Sequence, residues 1–115
     1  MKFKEKYNFE ERIIESNKLK IQYPSKIPII IEKSIDCTNI NDLDKNKYLV
    51  PDYLTLAQFI FVIRKRLNLD SHKVIFFFCD NKLFPVSSTI LEIFEKNKDK
   101  DGFLYFIYTS ENVFG

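Results

Sequence analysis

The chain has 115 residues, of which 45 % are hydrophobic and 30 % charged, and its formal net charge is +2. This length and balance predict one globular domain that builds its own hydrophobic core, and they leave no room for a second domain. Gly102 and Gly115 are the only glycines, so a glycine-rich phosphate-binding loop is excluded.

Charge is unevenly distributed along the chain. Residues 1–34 carry eight Lys and Arg against five Asp and Glu, whereas the remainder is balanced. A mildly basic front is most often a solvated lysine-rich face, and it also suits an approach to acidic peptides or anionic head groups. The 12 Phe and 6 Tyr exceed the needs of one small core, so we expect some aromatic rings to line grooves.

The sequence predicts no disulfide, metal site, secretion signal or membrane span. Cys37 and Cys79 lie far apart without a CxxC or Cys/His cluster, which indicates free thiols. Lys2 stands where myristoylation requires glycine, the N-terminus lacks an apolar signal core, and no run approaches the ~18 apolar residues of a membrane helix. We therefore expect the chain to be made and folded in the cytosol.

The front of the chain is predicted to contain two helices and a strand. Residues 2–8 and 10–22 place apolar side chains near helical spacing among charges, and Pro24 ends the second helix. The β-branched run 27–31 predicts a strand with Pro28 near its start or on an edge. Residues 33–46 are polar and predict a loop.

The middle of the chain is predicted to be a strand followed by the central helix. Residues 47–50 form the strand, and Thr55 with Gln58 forms a capping box that opens the helix. Its apolar stripe follows the 3.6-residue period, and three cations occupy its last turns. The stripe consists of Leu56, Phe59, Ile60, Ile63 and Leu67.

The last third is predicted to be strand, short helix and strand. Residues 74–78 are apolar on both faces, which predicts a central strand. Thr89 and Glu92 predict a second capping box, opening a helix to about Lys98. A polar turn at 99–102 then precedes the final strand at 103–108.

The element order predicts an α+β, ubiquitin-like β-grasp with two additional N-terminal helices. A strand pair, a helical crossover and two further strands define that arrangement. We divide the single domain into a helical extension at 1–24, a β-grasp core at 25–109 and a flexible tail at 110–115.

The sequence ends in Phe114 and Gly115 after a polar stretch. A terminal glycine presents a carboxylate without a Cβ, which can enter a narrow enzyme channel and be activated there. For an arbitrary protein, a chain that merely stops at a glycine is the commoner explanation, so this interpretation needs support from the rest of the sequence.

That support comes from motifs spread over essentially the whole chain. The motifs are Tyr23-Pro24-x-x-Ile27-Pro28, Asp42-Leu-Asp-Lys45-x-Lys47-Tyr-Leu-Val-Pro51, Gln58-Phe59, Ile63-Arg-Lys-Arg66, Phe76-Phe-Phe78 and Asp101-Gly-Phe-Leu-Tyr105. With these motifs the sequence resembles the autophagy-related ubiquitin-like modifiers, the family of the GABA-receptor-associated protein and microtubule-associated light chain 3, and it looks closer to the GABA-receptor-associated branch.

The resemblance implies conjugation of Gly115 to the amine of phosphatidylethanolamine, beside the tail residue Phe114. Activating and conjugating enzymes would perform this through cysteine thioesters, and a cysteine protease would process or delipidate the chain. The modifier itself supplies no catalytic residue and holds no cofactor besides the covalent lipid. It would be cytoplasmic when free and bound to autophagosomes or another organelle, including a plastid-like one, when lipidated.

The resemblance also implies a docking groove for motifs of the type aromatic, two spacers, aliphatic. The motif would add a strand to the edge of the second strand and fill two pockets. The first is implied to be lined by Glu15, Leu19, Pro28, Ile30, Lys47, Leu49 and Phe103, and the second by Tyr48, Val50, Pro51, Leu54, Phe59 and Val62. Acidic residues of the motif would meet Lys18, Lys20, Lys45, Lys47 and Arg64.

Other chemistries are poorly supported by the residues. His72 is the only histidine and lies in a polar turn, and Cys79 has no base near it in sequence. The cluster Arg64-Lys65-Arg66 is more simply the exposed end of an amphipathic helix than a nucleic-acid site. Two alternatives stay open: a modifier of protein lysines, and a non-conjugated trafficking adaptor that uses the same groove.

Overall fold

The computed structural model describes residues 2–110, so the predicted conjugation residue Gly115 and the tail residue Phe114 lie outside the described residues. The described chain forms helices and strands in the predicted order. The helices are α1 (Phe3–Lys6), α2 (Phe9–Gln22), α3 (Leu56–Leu67) and α4 (Ile90–Asn97), and the strands are β1 (Lys26–Lys33), β2 (Lys47–Pro51), β3 (Phe76–Phe78) and β4 (Leu104–Thr109).

The strands form one mixed sheet in the order β2-β1-β4-β3. β1 pairs antiparallel with β2 and parallel with β4, and β3 pairs antiparallel with β4. The predicted α+β β-grasp with two N-terminal helices is therefore confirmed. Because β1 and β4 run side by side in the same direction, the end of β4 lies beside Ser34, whose N–H donates to the Tyr108 carbonyl at 2.8 Å.

The expectation that the third strand is central was wrong, since β3 lies at a sheet edge. Its first predicted residues do not join the strand, and Val74 is exposed. The run is apolar because of ring packing: Phe77 lies 5.9 Å from both Phe59 and Phe106, measured between ring centroids. An apolar run of this kind indicates burial and does not by itself indicate how many neighbours a strand has.

The two faces of the sheet are covered by different helices. Ile29, Ile31 and Phe106 point toward α3 and α4 and belong to the main core cluster. Side chains alternate along a strand, so Pro28 and Ile30 point to the opposite face, where α2 packs on β1. Ile30 is fully buried there.

Helix starts follow the capping signals. Thr55 and Gln58 complete the predicted capping box of α3, and Thr89 accepts the Glu92 N–H at the start of α4. The structure shows only the Thr89 half of the box predicted at α4, and the sequence prediction missed the box in which Asn8 and Glu11 open α2. Because Asn8 is extended as a cap, the predicted helix 2–8 shortens to the single turn of α1.

The loop between β1 and β2 is irregular as predicted but is not wholly solvated. Cys37, Ile40 and Leu43 are buried in the main core cluster. Two polar contacts hold the loop: Lys33 Nζ donates to the Ile40 carbonyl at 3.1 Å, and the Tyr108 hydroxyl donates to the Asn41 carbonyl at 2.8 Å. The loop therefore adds to the core beneath its polar surface.

Candidate functional site: the open edge of the second strand

The predicted docking strand, β2, forms one edge of the sheet as the structure describes it. Ile31 donates its N–H to the Asn46 carbonyl at 2.9 Å, and this bond shows which residue pairs of the antiparallel ladder are hydrogen-bonded. Every second residue repeats that geometry, so Lys47 and Leu49 point their N–H and C=O groups away from β1. This is the backbone arrangement that strand addition requires.

The residues assigned to the first pocket lie on the α2 side of this edge. Lys47 and Leu49 stand opposite Ile30 and Pro28 in the register, and directly paired residues share a face. The Lys47 ammonium contacts the Glu15 carboxylate at 3.1 Å, an ion pair that joins β2 to α2. The strand register and this ion pair therefore bring together five of the seven predicted residues: Glu15, Pro28, Ile30, Lys47 and Leu49.

Two aromatic residues of the N-terminal segment lie beside the residues assigned to the first pocket, and the sequence prediction missed them. Phe103 is fully buried, and the Phe3 ring from α1 packs edge-on against it with centroids 5.2 Å apart. A cleft of about 310 Å³ opens beside the Lys47 and Glu15 pair and includes Phe3 and Tyr7 in its walls. The spacing of Phe3 and Tyr7, one helical turn apart, was the available signal.

A backbone contact places α1 at this site. Glu32 on β1 accepts the Phe3 N–H at 2.7 Å, and the Lys2 ammonium donates to the Lys33 carbonyl at 2.7 Å. The acidic side chain thereby satisfies one of the free amides at the start of α1. The short helix is held against β1 through polar contacts at its first turn.

The residues assigned to the second pocket lie between β2 and α3. Tyr48, Val50 and Phe59 are buried, with the Tyr48 and Phe59 rings 5.9 Å apart in an edge-on arrangement. Pro51 and Leu54 are half-buried, and Val62 is 42 % exposed at the rim. The floor of the predicted pocket is thus part of the core, and its accessible part consists of Pro51, Leu54 and Val62.

The cations beside the β2 edge differ in part from those predicted. Lys45 lies at this edge, with its ammonium 5.1 Å from the centre of the Tyr48 ring. Arg66, missed by the sequence prediction, lies 5.9 Å from the same ring and pairs with Asp44 at 2.9 Å. It lies one helical turn after Val62, and that spacing could have found it.

Arg64 has a structural role at the end of α3. Its guanidinium donates to the Lys73 carbonyl at 2.6 Å and to the Asp70 carbonyl at 2.9 Å. These bonds tie the end of α3 to the following loop. Lys18 and Lys20 lie exposed on α2, so among the predicted cations Lys45 and Lys47 are the ones that the structure places at the β2 edge.

A buried ion pair fixes α2, and with it one wall of the first pocket. The Arg12 Nε donates to Asp101 at 2.8 Å, and Asp101 is 1 % exposed. The same carboxylate accepts the Tyr105 hydroxyl at 2.5 Å and the Phe103 N–H at 2.9 Å. The Ser16 hydroxyl also donates to the Asp101 carbonyl. The sequence prediction treated Asp101 only as a turn residue.

The titratable groups considered for catalysis are not arranged as a catalytic site. Cys79 is 2 % exposed, and burial raises the pKa of its thiol to about 12, so the thiol keeps its proton at neutral pH. His72 is exposed, and its backbone N–H donates to the Asp70 carboxylate at 2.9 Å.

Together these features define a class: a ubiquitin-like domain with an open edge strand flanked by two partly apolar surfaces. Comparison with known proteins gives the particular family. The sequence model described as "Autophagy protein Atg8 ubiquitin like" matches residues 11–115. The chain therefore belongs to the Atg8 family of ubiquitin-like autophagy proteins.

Curated relatives support this assignment over nearly the full chain. Autophagy-related protein 8 of Schizosaccharomyces pombe is 47 % identical over 113 residues, covering 98 % of this chain and 93 % of the relative. Autophagy-related protein 8e of Arabidopsis thaliana is 45 % identical over 113 residues, which cover 98 % of this chain and 92 % of the relative. Autophagy-related protein 8 of Emericella nidulans is 46 % identical over 114 residues, which cover 99 % of this chain and 96 % of the relative. These relatives do not distinguish the GABA-receptor-associated branch, which stays a prediction.

Proposed function

We propose that this protein is a ubiquitin-like modifier conjugated through Gly115 to the amine of phosphatidylethanolamine, acting in autophagosome formation. The observation that carries the proposal is the family match, which extends to Gly115. If further residues follow Gly115 in the gene product, a processing protease would expose the same carboxylate. The amine of the lipid would displace the cysteine thiol of a conjugating enzyme from a Gly115 thioester, so that an amide forms as the thioester breaks, and the modifier would supply no catalytic residue.

Conjugation would explain how this chain reaches a membrane. Among residues 2–110, no helix is long and apolar enough to cross a bilayer. A covalent lipid supplies roughly 0.8 kcal/mol per buried CH₂, and a lipid with two acyl chains anchors stably. We place the protein in the cytoplasm when free and on autophagosomal or other organelle membranes when lipidated, with activating, conjugating and delipidating enzymes as partners.

We further propose that the β2 edge docks receptors that carry an aromatic-x-x-aliphatic motif. The outward N–H and C=O groups of Lys47 and Leu49 support strand addition. The aromatic residue would enter beside the Lys47 and Glu15 pair, and the aliphatic residue would lie against Val62. Lys45, Lys47 and Arg66 would meet acidic residues that precede the motif.

Each of the two alternatives changes one part of this proposal and keeps the other. A modifier of protein lysines would keep the Gly115 chemistry and change the acceptor amine. A trafficking adaptor would keep the groove and dispense with conjugation. Peptide binding and conjugation are therefore tested separately.

Charge reversal at Lys47 tests the groove. We expect Lys47→Glu to weaken binding of an acidic motif peptide by about tenfold, because it removes a cation, repels the peptide and faces Glu15 with a second carboxylate. Fluorescence anisotropy with a labelled peptide measures the change. Lys82→Glu, an exposed residue in the turn after β3, is the matched control and should bind as the unaltered protein does.

Two results would contradict the groove assignment. One is unchanged affinity in Lys47→Glu. The other is equal weakening by Lys82→Glu, which would indicate a general charge effect. Thermal unfolding of both variants separates lost binding from lost folding, since an exposed ion pair contributes less than ~1 kcal/mol to stability.

A further inference from the structure

A second cleft lies on the far side of α2 from the β2 edge. It has a volume of about 490 Å³ and opens between α2, the start of β1, α4 and the turn that precedes β4. Pro28 is the only residue that it shares with the predicted motif pockets. It is therefore a separate surface.

The floor and one wall of this cleft are apolar. Ile27 and Pro28 form the buried floor, and Phe94 is half-buried beside them. Leu91 is 37 % exposed on the wall formed by α4. Burying such surface removes apolar area from water at about 25 cal/mol per Å². The cleft thus offers a hydrophobic seat for a side chain of a partner.

The rim of this cleft is strongly basic. Lys20 and Lys26 stand on one side and Lys98 and Lys100 on the other, and all four are exposed. Lys26 and Lys98 place their ammonium groups over the rings of Tyr23 and Phe94, at 5.8 and 5.5 Å from the ring centres. Neither of these cation–π contacts neutralises the positive charge of the lysine.

The carboxylates of the cleft do not balance these lysines. Asp99 is already paired with Lys4 at 2.6 Å. Among residues 2–110, Asp52 is the other acidic residue in the lining of the cleft. The rim therefore carries a net positive charge around an apolar floor, a combination that complements an acidic partner with an apolar side chain.

The position of the cleft separates it from the tail. It lies at the end of the sheet where β1 starts, whereas Ser110 follows β4 at the opposite end, because β1 and β4 are parallel. That opposite end is the one from which the chain continues to Gly115, the conjugation residue of the proposed function, on which this point rests. A flat bilayer also cannot reach the floor of a concave site.

We propose that this cleft binds an acidic peptide segment with aliphatic side chains, independently of the aromatic-x-x-aliphatic motif. Aliphatic side chains would occupy the floor at Pro28 and Phe94, and flanking carboxylates would meet Lys20 and Lys98. Lys20, which the sequence assigns to the motif's acidic flank, instead lines this site.

The test uses the free, unlipidated chain, so its outcome does not depend on conjugation. The probe is a short synthetic peptide of glutamates around a pair of leucines, without any aromatic residue. We expect saturable binding in fluorescence anisotropy, with amide chemical-shift changes at Leu91, Lys98 and Gly102. An excess of unlabelled motif peptide should not displace the probe.

Charge-reversal variants assign the binding to this cleft. Lys98→Glu combined with Lys100→Glu should weaken the affinity for the probe peptide by about tenfold or more. The matched control combines Lys65→Glu with Lys82→Glu, which changes the net charge equally on exposed residues outside the cleft, and should bind within about twofold of the unaltered protein.

Several outcomes would overturn the proposal. They are the absence of saturable binding, equal weakening by the control pair, displacement by the motif peptide, and shift changes confined to Lys47 and Leu49. Binding of phosphatidylserine vesicles that depends on Lys98 and Lys100, without binding of the peptide, would identify a membrane surface instead and would also overturn it.

Discussion

Gly115→Ala is expected to abolish the lipid-linked form of this protein. In the proposed conjugation, the methyl group would place a Cβ beside the carboxylate, which would have to enter the narrow channels of the activating and conjugating enzymes. We expect the lipidated fraction to fall by more than about tenfold, equivalent to a rise of at least ~1.4 kcal/mol in a conjugation barrier. Immunoblotting of membrane fractions, resolved so that lipidated and free forms separate, measures this fraction.

The control for this variant lies in the same tail. Asn112→Ala adds no Cβ at the carboxylate and should leave lipidation unchanged. Gly115→Ala should still bind the motif peptide, because the β2 edge belongs to the folded part of the chain. Persistence of the lipidated form in Gly115→Ala would contradict conjugation at this residue, whereas loss of peptide binding as well would indicate misfolding.

Asp101→Asn is expected to destabilise the fold by about 3–5 kcal/mol, because the change leaves a buried cation without its counter-charge. Asp101 holds the Arg12 guanidinium, the Tyr105 hydroxyl and the Phe103 N–H at once. A loss of that size is a large share of the ~5–15 kcal/mol by which domains are stable. Urea denaturation followed by circular dichroism measures it.

Asp99→Asn, two residues earlier, is the control. Asp99 pairs with the partly exposed Lys4, so its replacement should cost less than ~1 kcal/mol. Equal destabilisation by the two variants would contradict the role assigned to the buried pair.

The Asp99 pair also predicts a pH dependence. Burial favours a higher pKa for Asp99, but the Lys4 ammonium and the Asp101 N–H outweigh it and hold the pKa below its ordinary value. The contribution of ionised Asp99 to the free energy of unfolding is therefore fully present above the pKa that Asp99 has in the unfolded chain. It is lost as the pH falls through the lower pKa that Asp99 has in the folded protein. Asp99→Asn should remove this acid-dependent part of the unfolding curve.

The parts of the fold that local chemistry encodes were predictable from sequence. The apolar stripe from Leu56 to Leu67 and the cap at Thr55 define α3, and Thr89 marks the start of α4. The order of helices and strands along the chain predicted the β-grasp class, although not the position of β3 in the sheet. The open edge at Lys47 and Leu49 lies where the resemblance placed the docking strand.

Features that depend on distant contacts were not predictable. Arg12 and Asp101 lie 89 residues apart, so no local pattern could reveal their pairing. The edge position of β3 depends on which strand pairs with β4, and an apolar run does not encode that choice. Phe3 reaches the first-pocket residues because contacts of Lys2 and of its own N–H with β1 hold the start of α1 there.

The measurement that tests the central claim most directly is the intact mass of the protein recovered from the membrane fraction of its own cells, with fragmentation to locate any adduct. We predict a mass increase that matches phosphatidylethanolamine, located on Gly115. An unmodified Gly115, or one joined to a protein lysine, in membranes from cells induced for autophagy would contradict the account.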